Sequence, residues 1–336
     1  MKNLKILKLL KKNSGFAKNI NISYGQYGRG IFVINNKEKA QIFLPRTLLL
    51  DSSKINLTNN YSLELENDDQ ITKNTREFYS YYFKNYGFNK NTVLEIDNFY
   101  NGICSLSSSL KKHLLFYFNS SFFKSSFDRN EYKKIYLSSR QISFNNKSFY
   151  MPIIELINHS LNGLTYNLLP KGLSVEGVFE NEVLANYSRH VDSFEFFKNY
   201  NIVSKQTNVF SCKLEIKYID KKILIERNFN EYNTIDNLNV PIIAIIKNTA
   251  FITHLDLTNL KKNSIYRDYV SNKLKKLNLN EESIFKFYHQ LIEFNRIHLN
   301  KIYEECKKEK SKVSFEIQNI TEHQINITND LLKLVF

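Results

Sequence analysis

The chain has 336 residues, 42% of them hydrophobic and 14% aromatic, and a formal net charge of +14 at pH 7. That length and apolar content bury a sizeable core without disulfides or metals and exclude a disordered or fibrous chain. Cys104, Cys212 and Cys306 are far apart with no CxxC, so no zinc knuckle or disulfide framework is expected; with no apolar stretch near the roughly 20 residues of a membrane span and no secretory cleavage site, a soluble, cytoplasmic protein is.

In chain order, Leu4, Ile6, Leu7, Leu9 and Leu10 form the apolar face of a short helix over residues 4–14, ended by Asn13-Ser14-Gly15. Gly28-Arg29-Gly30 opens a strand through Ile31 to Ile34; after the polar Asn35 to Glu38 a second strand, Ala40 to Leu44, stops at Pro45. Residues 52–70 are polar and read as a loop, and residues 72–136 as helices rich in Phe, Tyr and Leu. From Ser143 to Asn201 short β-like runs are broken by Gly163, Pro170 and Gly172 before the aromatic stretch Phe194 to Tyr200. Cys212 to Tyr218 with Lys222 to Glu226 reads as a hairpin, and Pro241 to Ile246 as a buried apolar run. Glu281 to Lys307 reads as a helix with Ile284, Phe287, Tyr288, Leu291 and Phe294 on one face, a core face before a binding groove. The basic runs, Lys8 to Lys12 and Lys307 to Lys312, fall on or beside amphipathic helices, so they read as solvated faces and nucleic acid is disfavoured as a partner.

Four short constellations carry the chemistry: Gly28-Arg29-Gly30, Ser139-Arg140, Glu155-Leu156-Ile157-Asn158-His159-Ser160, and Tyr187 followed thirteen residues later by Tyr200. Singly each is weak. The GxG opens a strand, not a helix, and so lacks the setting of a dinucleotide fingerprint. Asn158-His159-Ser160 also satisfies the glycosylation sequon, which an Asn-rich chain produces by accident. A lone His159 reads as a satisfied core histidine, and a lone tyrosine as packing.

In this order, however, they resemble the SET-domain signature of the Rubisco large-subunit lysine methyltransferase (LSMT) and actin histidine methyltransferase branch. Leu4 to Gly15 resembles that branch's leading helix. Gly28 to Leu50, with Phe43-Leu44-Pro45-Arg46-Thr47-Leu48-Leu49, resembles its first β-unit. Ser139-Arg140 is similar to the Ser-Arg pair after the helical insertion, and Met151 to Ser160 to the proline-to-NHS segment. Phe179 to Val203 resembles the strand, first tyrosine, aromatic helix and closing tyrosine that end the domain. The match covers roughly a third of the chain.

The resemblance implies an α+β fold. The SET domain would span residues 1–205, its β-parts 15–50 and 137–205 split by a helical insertion at 52–136, and a mostly helical domain at 206–336 would dock a protein substrate. It implies S-adenosyl-L-methionine as cofactor, lysine as the target, and no metal; the positive charge suits a substrate with an acidic surface. Backbone around Gly28, Arg29 and Gly30 would approach the cofactor, whose adenine and amino-acid ends the Glu155, Asn158 and His159 segment would hold, with Arg140 near its carboxylate. Tyr200 and Tyr187 would be the catalytic pair lining the methyl-transfer channel, next to Ile202. Methyl transfer would be in line, with the channel lowering the lysine pKa by desolvation and by the sulfonium charge.

Three departures from the branch's pattern stand out. Glu155 replaces an aspartate, Ser188 replaces the glycine or aspartate after the first tyrosine, and Asn201-Ile202 replaces Gly-Phe. Asparagine tolerates the left-handed backbone that such a glycine position can require, whereas Ile202 removes an aromatic wall. These changes raise a catalytically silent binding module as one alternative, beside a histidine methyltransferase on the same scaffold.

Overall fold

The structure, a computed structural model, describes residues 2–144, 147–188, 190–218 and 220–334. The chain begins with α1 (Lys2–Lys12), β1 (Phe16–Lys18), β2 (Ile20–Gly25), β3 (Gly28–Val33), β4 (Ala40–Pro45), β5 (Leu50–Asp51), β6 (Ile55–Leu57) and β7 (Leu63–Leu65). Helices α2 (Lys73–Tyr86), α3 (Lys90–Cys104), α4 (Ser108–Leu114) and α5 (Arg129–Ser138) follow. Then come β8 (Gln141–Phe144), β9 (Lys147–Tyr150), β10 (Asn158–Leu164), β11 (Asn167–Leu169), β12 (Gly172–Gly177), β13 (Leu184–Ala185) and α6 (Ser193–Tyr200). The remainder holds β14 (Leu214–Tyr218), β15 (Lys221–Ile225), β16 (Tyr232–Ile235), β17 (Leu238–Pro241), β18 (Ile243–Ile246) and β19 (Thr249–Ile252), then α7 (Leu257–Lys262), α8 (Ser264–Leu274), α9 (Glu281–Lys307) and α10 (Lys312–Lys333). Small, mostly antiparallel sheets interspersed with helices make this the α+β class expected. No described helix is long and apolar enough to cross a membrane.

The backbone divides into two compact units, residues 1–98 with 126–187, and residues 99–125 with 188–336. The segment 188–205, read from the sequence as the end of the first domain, therefore groups with the second unit, as does part of the helical insertion.

In the first unit β4 alternates from Ala40 to Leu44, burying Ala40, Ile42 and Leu44, because successive strand residues face opposite sides. It sits between β1 and β12 in a sheet of order β1-β4-β12-β11. Helix α1 covers this core with Ile6, Leu9 and Leu10, while Leu4 is 66% exposed. At 3.6 residues per turn, a residue two before Ile6 lies on the far side of the helix, so the expected face was one residue too many. The stretch 52–70, expected to be loop, contains the antiparallel β6–β7 hairpin. Its three-residue strands bury Ile55 and Leu63 but are too short to register as alternation amid polar neighbours. Helix α5 begins with a complete capping box between Asp128 and Glu131 and delivers Arg140 to the site.

The second unit has a sheet of order β14-β15-β19-β18, in which β14 and β15 form the expected hairpin and β15 pairs parallel with β19. The apolar run at 241–246 is only half buried, since β18 is an edge strand with Ile243 inside and Ile246 60% exposed. Helix α9 has the bounds expected, capped by the Asn280 side chain accepting from the Ser283 amide. Ile284, Phe287, Tyr288 and Leu291 are buried, but Phe294 is 45% exposed and Asn295 takes the interior position. Asn295 is there for its hydrogen bonds: Oδ1 accepts from the Cys212 amide at 2.7 Å and Nδ2 donates to Ser211 Oγ at 3.2 Å. Apolar periodicity cannot see such a residue.

Candidate active site

In the first unit, the β2–β3 hairpin turns through Gln26 and Tyr27, with Gly25 opposite Gly28. Gly28 has φ +89 and open space where a Cβ would point, so its role is the left-handed turn itself. Gly30 is needed for another reason: a Cβ there would lie 2.4 Å from Glu182 Oε1 and 2.8 Å from Asn158 Nδ2. The missing side chain lets Asn158 reach across, its Nδ2 donating to Glu182 Oε1 at 2.6 Å and to the Arg29 carbonyl at 3.3 Å. Two motifs separated by more than a hundred residues of sequence thus meet in one hydrogen-bonded contact. The Arg29 side chain turns away, donating from Nη2 to Tyr24 Oη at 2.9 Å and from Nη1 to the Tyr86 carbonyl at 3.3 Å, and lies over both rings.

After Pro152 the backbone enters a short 3-10 turn through Ile153, which is fully buried with φ +69. A β-branched residue there is strained, and a relay of hydrogen bonds holds it. The Ile153 amide donates to Tyr82 Oη at 2.9 Å, and Tyr82 in turn donates to Glu155 Oε1 at 2.8 Å. Tyr150 Oη donates to the same oxygen at 2.9 Å, and Arg140 Nε pairs with Glu155 Oε2 at 3.1 Å. Burial first, and the Glu155 charge second, push both tyrosines well above the ordinary phenol range, so they remain donors.

Arg140 is also fixed by its own helix end. Its Nη1 donates to the Tyr136 carbonyl at 3.2 Å and Ser139 Oγ at 2.7 Å, and the guanidinium lies 4.1 Å from the Tyr136 ring centroid. Burial opposes the positive charge, but Tyr136, Glu155, Tyr150 and Tyr187 together hold its pKa above the usual value. Glu155, with a 3% exposed side chain, is thus an anchor that orients the arginine, whose own side chain is 33% exposed.

Strand β10 runs parallel to β13, with Asn158 opposite Leu184 and His159 opposite Ala185, and the register shifts before Leu164. Gly163 permits that irregularity, since a Cβ there would meet the Ala185 backbone at 2.4 Å. The Tyr187 amide donates to His159 Nδ1 at 3.4 Å, the two rings lie 5.2 Å apart, and Tyr187 Oη donates to the Ile157 carbonyl. Burial lowers the His159 pKa, a backbone hydrogen bond at Ala185 acting the other way, so the imidazole is neutral near pH 7.

Tyr200, Ile202 and Ser188 belong to the second unit. Asp192 caps α6 by accepting from the Glu195 amide at 2.9 Å; Tyr200 ends the helix, its ring 4.6 Å from Phe196. Burial, helped by the Glu195 charge, pushes the Tyr200 phenol up to about 12. Asn201 adopts the left-handed conformation, φ 52 and ψ 38, as the C-cap, a backbone that asparagine tolerates better than most side chains. Ile202 is 36% exposed. Beneath the start of α6, Arg227 Nη2 forks onto Asp192 at 2.9 and 3.0 Å, with side chains 5% and 0% exposed. Sequence reasoning missed this ion pair, as it missed Glu182, Tyr82 and Tyr150, because nothing local marks a partner dozens of residues away.

No protein-family model matches the chain, and no curated protein matches it. Solved structures align along nearly all of it at low identity. Rubisco LSMT bound to AdoMet has a TM-score of 0.47 and 12% identity, covering 99% of this chain and 91% of that one. Rubisco LSMT bound to sinefungin and monomethyllysine has a TM-score of 0.47 and 12% identity, covering 98% and 90%. The SET domain of LSMT bound to lysine and AdoHcy has a TM-score of 0.44 and 11% identity, covering 98% and 90%.

Proposed function

We propose that this chain is a SET-type, S-adenosylmethionine-dependent protein methyltransferase whose target is a lysine side chain. The observation that carries the reading is the meeting, within one unit, of motifs that are individually weak. Gly30 admits Asn158, Arg140 pairs with the carboxylate of Glu155, and the His159 ring lies tilted against that of Tyr187.

The residues fit the cofactor's charged end. Arg140 spends Nε and Nη1 on the protein, and no described residue is bonded to Nη2, which can meet a carboxylate. The neutral His159 adds no positive charge near a sulfonium. The cofactor, when bound, supplies an electrophilic methyl group on a sulfonium sulfur. Gly28 and Gly30 keep side chains off the hairpin backbone, Arg140 holds the carboxylate end, and Asn158 fixes the strand crossing beside them. By the family pattern Tyr187 and Tyr200 are the proposed catalytic tyrosines, and exclusion of water would favour the neutral form of the incoming amine. Two of the three departures from the family pattern have a structural account: Glu155 spans the distance to Arg140 and two hydroxyls, and Asn201 takes the left-handed backbone. This favours the active reading over the silent module.

Incubating the protein with methyl-tritiated S-adenosylmethionine and a protein lysate should label at least one lysine-containing protein. Tyr200→Phe should cut that labelling by at least about tenfold while cofactor affinity stays within about twofold. Unchanged turnover in Tyr200→Phe would remove Tyr200 from the mechanism, and label on histidine alone would move the assignment to the histidine branch.

A further inference from the structure

In the second unit a cavity of about 380 Å³ is walled by residues 115–119, by Glu195 and Lys198 of α6, by Lys213 and by residues 226–230. None of the proposed chemistry uses it. Among the described residues, three buried side-chain polar atoms have no hydrogen-bond partner: Tyr117 Oη, Glu195 Oε2 and Arg227 Nε. All three belong to residues that line this cavity. Tyr117 is 4% exposed, and the side chains of Glu195 and Arg227 are 9% and 5% exposed. Folded proteins leave few buried polar groups unpaired, because each gives up its bonds to water and gains nothing in return. Three around one cavity point to a partner that enters it.

The remaining groups of these side chains are already held. Arg227 gives Nη2 to Asp192 and Nη1 to the Phe210 and Ser211 carbonyls at 3.4 and 3.1 Å. Its guanidinium lies 5.1 Å from the ring centroids of both Tyr117 and Phe229. Glu195 Oε1 accepts from Lys198 Nζ at 2.7 Å and from Asn199 Nδ2 at 3.3 Å. The Tyr117 ring is stacked on Phe194 with centroids 4.3 Å apart. What is left over is Arg227 Nε, which only donates, Glu195 Oε2, which as a carboxylate only accepts, and the Tyr117 hydroxyl, which does either. The charges around the cavity cancel pairwise: Arg227 with Asp192, Lys198 with Glu195, and Lys213 with Glu226. A ligand of net charge would enter uncompensated, which is costly away from water; a neutral one with separated donor and acceptor would not.

We infer that this cavity is a binding site for a free α-amino acid. Its carboxylate meets Arg227 Nε and the Tyr117 hydroxyl, and its ammonium meets Glu195 Oε2, so the zwitterion satisfies all three atoms without changing the net charge. The three atoms are screened from water, and the ligand reaches them through a side-chain rotation at the wall, a common adjustment on binding. A bridging water offers the same donors and acceptors, but its share of liquid volume is about 30 Å³, far less than the cavity holds. The inference does not rest on the methyltransferase reading, which assigns none of these three groups to cofactor or amine.

The test uses the full chain and, as probe, an equimolar mixture of the proteinogenic L-amino acids, read by saturation-transfer-difference NMR, which identifies whichever member binds. That member is then titrated alone, beside its N-acetyl and its carboxamide forms. The expected result is saturable binding of the free amino acid with Kd of about 1 mM or tighter, and a loss of at least about tenfold when either charged end is blocked. Tyr117→Phe should weaken binding by about fivefold while the ligand-free variant unfolds at no lower a urea concentration than wild type, since the hydroxyl it removes has no partner there. Glu195→Gln should weaken binding more, because it removes the charge that faces the ammonium. No saturable binding of any member up to about 10 mM would mean that the cavity holds water only and would overturn the proposal. So would binding that the blocked forms reproduce, or that Tyr117→Phe and Glu195→Gln both leave unchanged.

Discussion

Replacing Glu155 with alanine should destabilise the first unit by about 3 kcal/mol and weaken cofactor binding with it. The carboxylate accepts from Tyr82 and Tyr150 and pairs with Arg140. Removing it orphans two buried hydroxyls, each worth about 1 to 3 kcal/mol, and frees the guanidinium that is partly exposed. The Tyr82 hydroxyl also accepts from the Ile153 amide, so the left-handed turn at Ile153 loses the far end of its support. Glu155→Gln keeps the shape and one acceptor for the tyrosines but sets an amide against Arg140; it should fall between wild type and alanine in stability while losing most of the arginine's orientation. Urea denaturation followed by circular dichroism reads the first effect, and titration with S-adenosylhomocysteine reads the second. A Glu155→Ala protein as stable as wild type would mean that the relay through Tyr82 does not support the turn.

In the second unit the comparable effect is at Asp192, where alanine should cost about 3–5 kcal/mol by leaving the Arg227 guanidinium buried without its partner. Both side chains are almost completely inaccessible, and Arg227 Nη2 donates to both oxygens of the Asp192 carboxylate. The same substitution removes the cap of α6, worth about 1 kcal/mol. Since α6 ends in Tyr200, transfer activity should fall as the helix frays. Replacing Arg227 and Asp192 together with apolar residues of matching volume should recover much of the lost stability. Recovery in the double variant, read by chemical denaturation, separates an uncompensated charge from simple loss of packing; no recovery would place the loss in packing and capping.

What could be read from the sequence was what is written locally. Helix α9 was legible from Glu281 to Lys307 because Ile284, Phe287, Tyr288 and Leu291 recur at helical spacing. The strands β3 and β4 and the hairpin of β14 with β15 were legible as short alternating runs with turn residues between. The GxG and Asn-His motifs were legible as motifs, but the physical reason for Gly30 was not: Glu182 presses on it from a chain segment more than a hundred residues later. Glu155 showed only as a departure from aspartate, because the hydroxyls that make a longer acid useful come from Tyr82 and Tyr150 on separate elements. The hairpin of β6 with β7 was hidden by its brevity, and the buried Asn295 by its polarity. Grouping residues 99–125 with the C-terminal half depends on Phe99, Ile103 and Tyr117 entering a core built from residues after 190, and no linker composition announces that.

The most direct measurement of the central claim is calorimetric titration of the purified protein with S-adenosylmethionine and S-adenosylhomocysteine, beside an Asn158→Ala variant. That variant removes the donor that joins β10 to the Arg29 carbonyl and to Glu182 while leaving Arg140 and Glu155 in place. The expected result is stoichiometric binding of both molecules to the wild type and a loss of at least about tenfold in affinity in the variant. A well-folded wild type that binds neither molecule would contradict the methyltransferase assignment and leave the chain a SET-like binding module.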